Sequence, residues 1–342
     1  MKRAVKVSAL ALALLTGQAL ANDSTAQLGV GGLVFVTNYD VKMLSEDLFV
    51  SADEVRVTYQ FRNESDADQH VLIAFPMPDI DGSGDFNVAI PTEDAENIFG
   101  FKTSFEGKPV QATLHQYAFA ANIDQSSILR ELGVPLTPYH RRTQDAINAL
   151  SDADKQQLQQ LGLVFPMEYD QGQGWQTDHV PFWTLRSTYS WEAVFPAGKT
   201  VTVEHSYQPS YGGTVAVTFL AGPYEDYDPH AAYQKKYCVD DGLYETVSKT
   251  LTNKDEPYDA PYYENWLSYV WSTGNNWSGP IGSFTLTIDK GDPKNLVSFC
   301  WDGAVKKISP TQFRMTATDW YPPFDQELEI LILVPREPWP AN

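Results

Sequence analysis

The stretch Asp79-Ile80-Asp81-Gly82-Ser83-Gly84-Asp85-Phe86 carries side-chain oxygens at alternate positions, with a glycine at the sixth and an aromatic at the eighth. Asp79, Asp81, Ser83 and Asp85 match the first half of a calcium loop, where hard oxygen ligands alternate and a glycine permits the sharp turn. The twelfth position is Ile90, where such loops place a bidentate Glu. A polar, glycine-rich turn after a strand is the plainer reading. Calcium is nonetheless the one cofactor this sequence raises.

Aromatic rings are the second resource: nine Trp, 18 Tyr and 17 Phe. A ring face at the mouth of a loop can stack on a sugar ring. Trp271, Trp277, Trp320 and Tyr321 are the candidates, because they fall at strand ends and loops. Large antiparallel proteins also bury many aromatics, which fit pleated surfaces.

Cys238 and Cys300 are the only cysteines. An even count in an exported chain predicts a disulfide between them, and without C-x-x-C spacing a redox pair is the weaker reading. The six histidines are scattered and show no H-x-x-x-H spacing. His205 falls on the apolar face of an alternating run and reads as a core histidine. No G-x-S-x-G, G-x-x-x-x-G-K-[ST] or G-x-G-x-x-G motif occurs. Carboxylate pairs for glycoside hydrolysis are defined in space and leave no sequence pattern. The reading therefore leans towards a non-catalytic protein.

Residues 1–21 have the form of a secretory leader. Lys2, Arg3 and Lys6 precede the apolar run Ala9–Leu15, and Ala19-Leu20-Ala21 is an A-x-A cleavage site. The run is too short to span a bilayer, which takes roughly 20 residues. No other stretch is long enough, so no transmembrane segment is expected after cleavage. The net charge of −20 becomes −23 when the three leader cations are lost. So acidic a chain excludes nucleic acid and anionic membrane surfaces as natural partners. A periplasmic or secreted location follows, with an unknown protein or glycan of the cell envelope as the expected partner.

The elements that must position these residues are mostly strands. Val55, Val57, Tyr59 and Phe61 alternate with polar residues, as on a half-buried strand. A turn at Asn63–Asp66 leads to a second run over Val71, Ile73 and Phe75, which Pro76 and Pro78 stop. The pair reads as a hairpin. Another hairpin is expected at Glu106-Gly107-Lys108. Residues 122–163 break the β pattern with short amphipathic stretches, one capped by Ser151 with Asp154 three residues on. The fold class predicted is mainly β: an antiparallel β-sandwich, one large or in two lobes, with a helical insertion and one further helix. The division expected is an N-terminal lobe over 22–121, the insertion over 122–163 and a C-terminal lobe over 164–342, with a helix at about 233–251.

Several blocks in order resemble the bacterial exported family of the domain of unknown function 4424. They are Gly31-Gly32-Leu33, Met43–Ser51, the run ending Phe75-Pro76-Met77-Pro78-Asp79-Ile80, and Leu132–Leu136. Trp277–Phe284, Ile288–Cys300 and Tyr321–Val334 continue the likeness. The resemblance implies no activity, cofactor or catalytic residue. The run through Phe75–Pro78 also looks, locally, like the β module of vault and inter-α-trypsin proteins. The expectation is an exported binding or envelope-associated protein. A carbohydrate-binding or carbohydrate-active protein and a calcium-stabilised adhesion module are the alternatives.

Overall fold

The computed structural model describes residues 22–29, 32–82, 87–92, 94–95, 97–170, 172, 174–223, 226–253 and 260–336. The leader and two members of the calcium-type run, Ser83 and Asp85, lie outside the described residues.

The protein is mainly β, and its strands form antiparallel layers. One sheet, seven-stranded, has Thr184–Phe195 and Gln69–Pro76 at its centre. A second, eight-stranded, runs through Ile281–Asp289, Val41–Val50, Val55–Asn63 and Thr200–Tyr207. Only Val41–Val50 with Ile281–Asp289 pairs in parallel among the described strands. A five-stranded sheet is centred on Tyr262–Tyr269 and Leu328–Pro335.

The expected hairpin of Val55–Asn63 and Gln69–Pro76 is a crossing between sheets. Val55–Asn63 pairs with Val41–Val50 and Thr200–Tyr207, whereas Gln69–Pro76 pairs with Thr184–Phe195 and Ser24–Gly29. The link over 196–199, between Thr184–Phe195 and Thr200–Tyr207, crosses in the same way. The two crossings are bonded side by side. Asn63 Nδ2 donates to the Phe195 carbonyl at 2.8 Å, and the Ala197 amide donates to Asp68 Oδ1 at 2.9 Å. Alternation places a side chain on a face but does not choose the neighbouring strand, so the inward faces met across the layers instead. Phe61 meets Phe195 edge to face at 5.8 Å.

The turn at Glu106-Gly107 does form a hairpin, with both residues at positive φ, and joins Lys102–Phe105 to Lys108–Val110. The eight-stranded sheet draws strands from both halves of the chain, so the boundary expected at 122–163 does not divide two sandwiches. The main apolar core draws on both halves of the chain, from Val41 to Ile332. The reason is the parallel pairing just described, which ties an early strand to a late one.

Helices α1 (Ser126–Glu131), α2 (Arg141–Ala149) and α3 (Asp152–Gln160) form the insertion. Their apolar residues Leu129, Ile147 and Leu158 are buried in the main core, so the insertion covers the sheet. Ser151 caps α3 by accepting from the Asp154 amide at 3.2 Å.

The expected helix over 233–251 is two, α4 (Pro229–Tyr237) and α5 (Asp241–Ser248). Cys238 ends α4 in the left-handed conformation, φ 54°, and the Asp240 carboxylate caps the Leu243 amide at 2.7 Å to start α5. A left-handed residue cannot continue a helix. These helices bury Tyr233, Tyr237 and Val247 in a second, smaller core, against the back of the Leu328–Pro335 strand. That strand sends Ile330 and Ile332 to the main core and Leu331 and Leu333 to the second.

Candidate functional site

Cys238 and Cys300 are joined by a disulfide. It ties the end of α4 to the residue that follows strand Leu296–Phe299, and thereby holds Trp301 in place. Trp320 ends strand Gln312–Trp320 of the eight-stranded sheet, and Trp271 follows Tyr262–Tyr269 of the five-stranded sheet. The three indoles converge. Trp271 meets Trp320 edge to face at 5.3 Å, and Trp301 lies 5.8 Å from Trp320. Buried Phe284 stacks beneath both, 4.2 Å from Trp320 and 5.9 Å from Trp301.

The result is an open groove of about 440 Å³. Trp301 and Trp320 are half-buried, and Lys235, Asp302 and Gln326 add a cation, a carboxylate and an amide around them. Its floor is fixed. Trp271 Nε1 donates to the Gln326 carbonyl at 2.8 Å, its amide donates to Glu327 at 2.9 Å, and Ser272 donates to Glu327 at 2.7 Å. Burial raises the Glu327 carboxyl above its ordinary range, and these donors partly offset the rise. Flat aromatic faces with a few polar groups at the edge suit a ligand with an apolar face and a polar rim.

Of the four candidate aromatics, the structure brings Trp271 and Trp320 to this groove. Trp271 is buried and presents little surface. Tyr321 is exposed, beside Trp320. Trp277 is deep in the core, 4.4 Å from Phe61, and donates through Nε1 to the Asp23 carbonyl at 2.6 Å. Trp301 was not among the candidates. Its adjacency to Cys300 was the available signal, since a crosslink fixes what stands next to it.

The calcium-type residues fare differently. Asp79 forms an ion pair with Arg186 at 3.1 Å. Burial still raises its carboxyl, to about 6, against the lowering by Arg186. Asp81 lies in the short strand Ile80–Asp81, paired with Thr184–Phe195. No group of three or more His, Cys, Asp or Glu poised for a metal occurs among the described residues.

A larger cleft, about 610 Å³, lies where the Lys102–Val110 hairpin meets Thr200–Tyr207. Its two large rings, Phe101 and Tyr189, stack on each other at 4.3 Å and 15°, which uses up their facing surfaces. Behind this cleft is a polar cluster closed to solvent. His205 Nε2 lies 3.0 Å from Asp23 Oδ1, with both side chains fully buried. Asn22 Nδ2 donates to Glu46 at 3.1 Å, Tyr59 donates to Asn22 Oδ1, and the Tyr59 and Tyr269 hydroxyls lie 3.2 Å apart. Burial raises Glu46 to about 8.

A family model described as a domain of unknown function, number 4424, matches residues 21–331. No curated protein matches. Among solved structures, the chain is similar to a Legionella pneumophila protein described as a candidate nutrient binding protein. Identity is 14%, the TM-score is 0.46, and the alignment covers 92% of this chain and 70% of that one. No helix among the described residues is long and apolar enough to cross a membrane.

Proposed function

The chain belongs to the family of the domain of unknown function 4424, and on that premise we propose that it is an exported, non-catalytic binding protein of the bacterial cell envelope whose tryptophan groove takes a saccharide. The observation that carries this reading is the convergence of Trp301 and Trp320 on one open groove, backed by Phe284 and braced by the disulfide. An indole face is electron-rich and the C–H face of a pyranose is electron-poor, so the two stack. Lys235, Asp302 and Gln326 line the same groove and supply donors and acceptors for sugar hydroxyls. Hydrolysis of a glycoside uses two carboxylates across the bond, and Asp302 is the one carboxylate among the described residues that line this groove. The lining therefore favours holding a sugar over cleaving it.

Export is supported by the leader-type residues 1–21 and by a disulfide, a bond that persists in oxidising compartments. A glycan array probed with the purified protein, followed by tryptophan-fluorescence titration of any hit, tests the assignment. The expected result is binding that Trp320→Ala weakens roughly 2- to 10-fold, the worth of one aromatic stacking contact. Silence across the array, or hits that Trp301→Ala and Trp320→Ala leave untouched, overturns it.

A further inference from the structure

The first residues after the A-x-A site are among the least exposed polar residues of the described chain. Asn22, Asp23 and Ser24 are each 0% exposed. A polar N-terminal tail ordinarily frays into solvent. Here Asn22 is enclosed where the chain enters strand Ser24–Gly29. Its backbone N–H donates to Thr273 Oγ1, and Thr273 returns a hydrogen bond to the Asn22 carbonyl at 2.6 Å. Its side chain reaches Glu46 from one sheet and Tyr59 from the same sheet. Gly274 is shaped to this arrangement: a Cβ there would stand 2.9 Å from Asn22 Nδ2.

With both of its carboxyls ionised the cluster is short of positive charge, and in the absence of a cation burial raises Glu46 to about 8. It holds two buried carboxylates, Asp23 and Glu46, two tyrosine hydroxyls, Tyr59 and Tyr269, and one imidazole, His205. Asp23 Oδ2 and Glu46 Oε1 are buried and accept no hydrogen bond from the described residues. Orphaned carboxylate oxygens in a dry interior are costly and rare. An ammonium group in their midst supplies the missing cation and donors.

We propose that removal of the leader after Ala21 makes that cation: the new α-ammonium of Asn22 seats inside the sandwich, bonded to Thr273 and paired with Glu46 and Asp23, so that processing completes the core. The step is hydrolysis of the Ala21–Asn22 peptide bond by a signal peptidase. Water adds its hydroxyl to the Ala21 carbonyl carbon and one proton to the departing nitrogen, and the new carboxylic acid gives up its own proton to the amine, leaving a carboxylate and an ammonium. One N–H then becomes three, one already accepted by Thr273 and two more for the orphaned oxygens. Any residue left ahead of Asn22 has to share an enclosed space and removes the charge. The inference rests on the exported reading but not on what the groove binds.

The test uses protein released with Asn22 as its first residue, and the same protein carrying one or three extra alanines. The Asn22 form is expected to melt roughly 3 °C or more above both extended forms. Glu46→Gln should lower the melting temperature of the Asn22 form more than that of the extended forms, since only the former has the ammonium to lose. In the native Asn22 form, an amine-acylating reagent should modify the α-amine on the order of 100-fold more slowly than in the unfolded chain, because reaction has to wait for opening. Equal melting with equal Glu46→Gln effects overturns the proposal. So does an α-amine that reacts as fast folded as unfolded, a readout that stands even where an extended form does not fold. Mass spectrometry of the protein recovered from the periplasm of an expressing bacterium separates the two layers. A first residue other than Asn22 sinks the leader step, whereas an Asn22 start with equal melting sinks the ammonium seat alone.

Discussion

Replacing Cys238 and Cys300 together by alanine removes a crosslink whose ends are 62 residues apart. In the chain-entropy treatment, a loop of that length costs the unfolded chain about 4 kcal/mol of freedom at 25 °C. Unfolding entropy of about 2 cal/mol/K per residue, over roughly 300 residues, converts this into a fall of about 6 °C in melting temperature. Alanine is the right replacement at 238, because Cys238 holds φ 54° and alanine keeps that strain constant. Cys238→Gly with Cys300→Ala would relieve it, and should melt slightly above the double alanine, by the roughly 1 kcal/mol that a left-handed residue with a Cβ gives up. Scanning calorimetry of the oxidised, reduced and alanine forms reads the effect directly. The second consequence is local. Cys300 precedes Trp301, so the freed segment lets the indole wander, and affinity for any groove ligand should fall with the crosslink. A melting temperature unchanged to within about 1 °C would refute the loop argument, and unchanged affinity would refute the bracing role.

Glu264 offers a pH test. It is fully buried and accepts from Tyr233 at 2.7 Å and from Trp266 at 2.8 Å, yet burial pushes its carboxyl up to about 7 from 4.5. The folded state therefore holds a proton that the unfolded state has lost between those values, and this group's contribution falls as pH rises from 4.5 through 7. Melting curves of wild type and Glu264→Gln should converge or cross in favour of the variant as pH climbs, and the opposite trend would contradict the burial argument. Gly282 faces the register shift between Met43 and Ser45, and a Cβ there would stand 2.7 Å from the Leu44 carbonyl oxygen. Gly282→Ala should cost about 1–3 kcal/mol by denaturant titration. Asp79 is held by Arg186, so millimolar calcium or chelator should shift the melting temperature by less than about 1 °C, and a larger rise with calcium would support the adhesion-module reading.

What the sequence disclosed followed its local physics. Alternation over Val55–Phe61 names the face that packs inward, and the structure buries Val55, Val57, Tyr59 and Phe61. It says nothing about partners, which is why Gln69–Pro76 turned out to belong to the opposite layer. The cap at Ser151 was legible because capping is decided within one turn of chain. The break at Cys238 was hidden, because a disulfide-bearing residue at left-handed φ leaves no composition signal, although Asp240 is a readable cap for the helix that follows. Among the aromatics, Trp277 and Trp320 look alike by loop context. Only the three-dimensional fold puts one against Phe61 in the core and the other on the groove. The polar cluster around Asn22 was legible only at His205, which the alternation of its run places on the inward face; burial of Asp23 and Glu46 runs against the hydrophobic pattern that sequence reading uses.

The central claim is that the groove of Trp301 and Trp320 is where a ligand binds. Its most direct test is a ¹H–¹⁵N spectrum of the indole N–H signals, assigned by single Trp→Phe variants, during titration with saccharides found on the array. The Trp301 and Trp320 signals are expected to move and saturate, with Trp271 following weakly and buried Trp183 and Trp277 staying still. Saturable shifts at Trp183 or Trp277 with none at Trp301 and Trp320, or no shift anywhere, would contradict it.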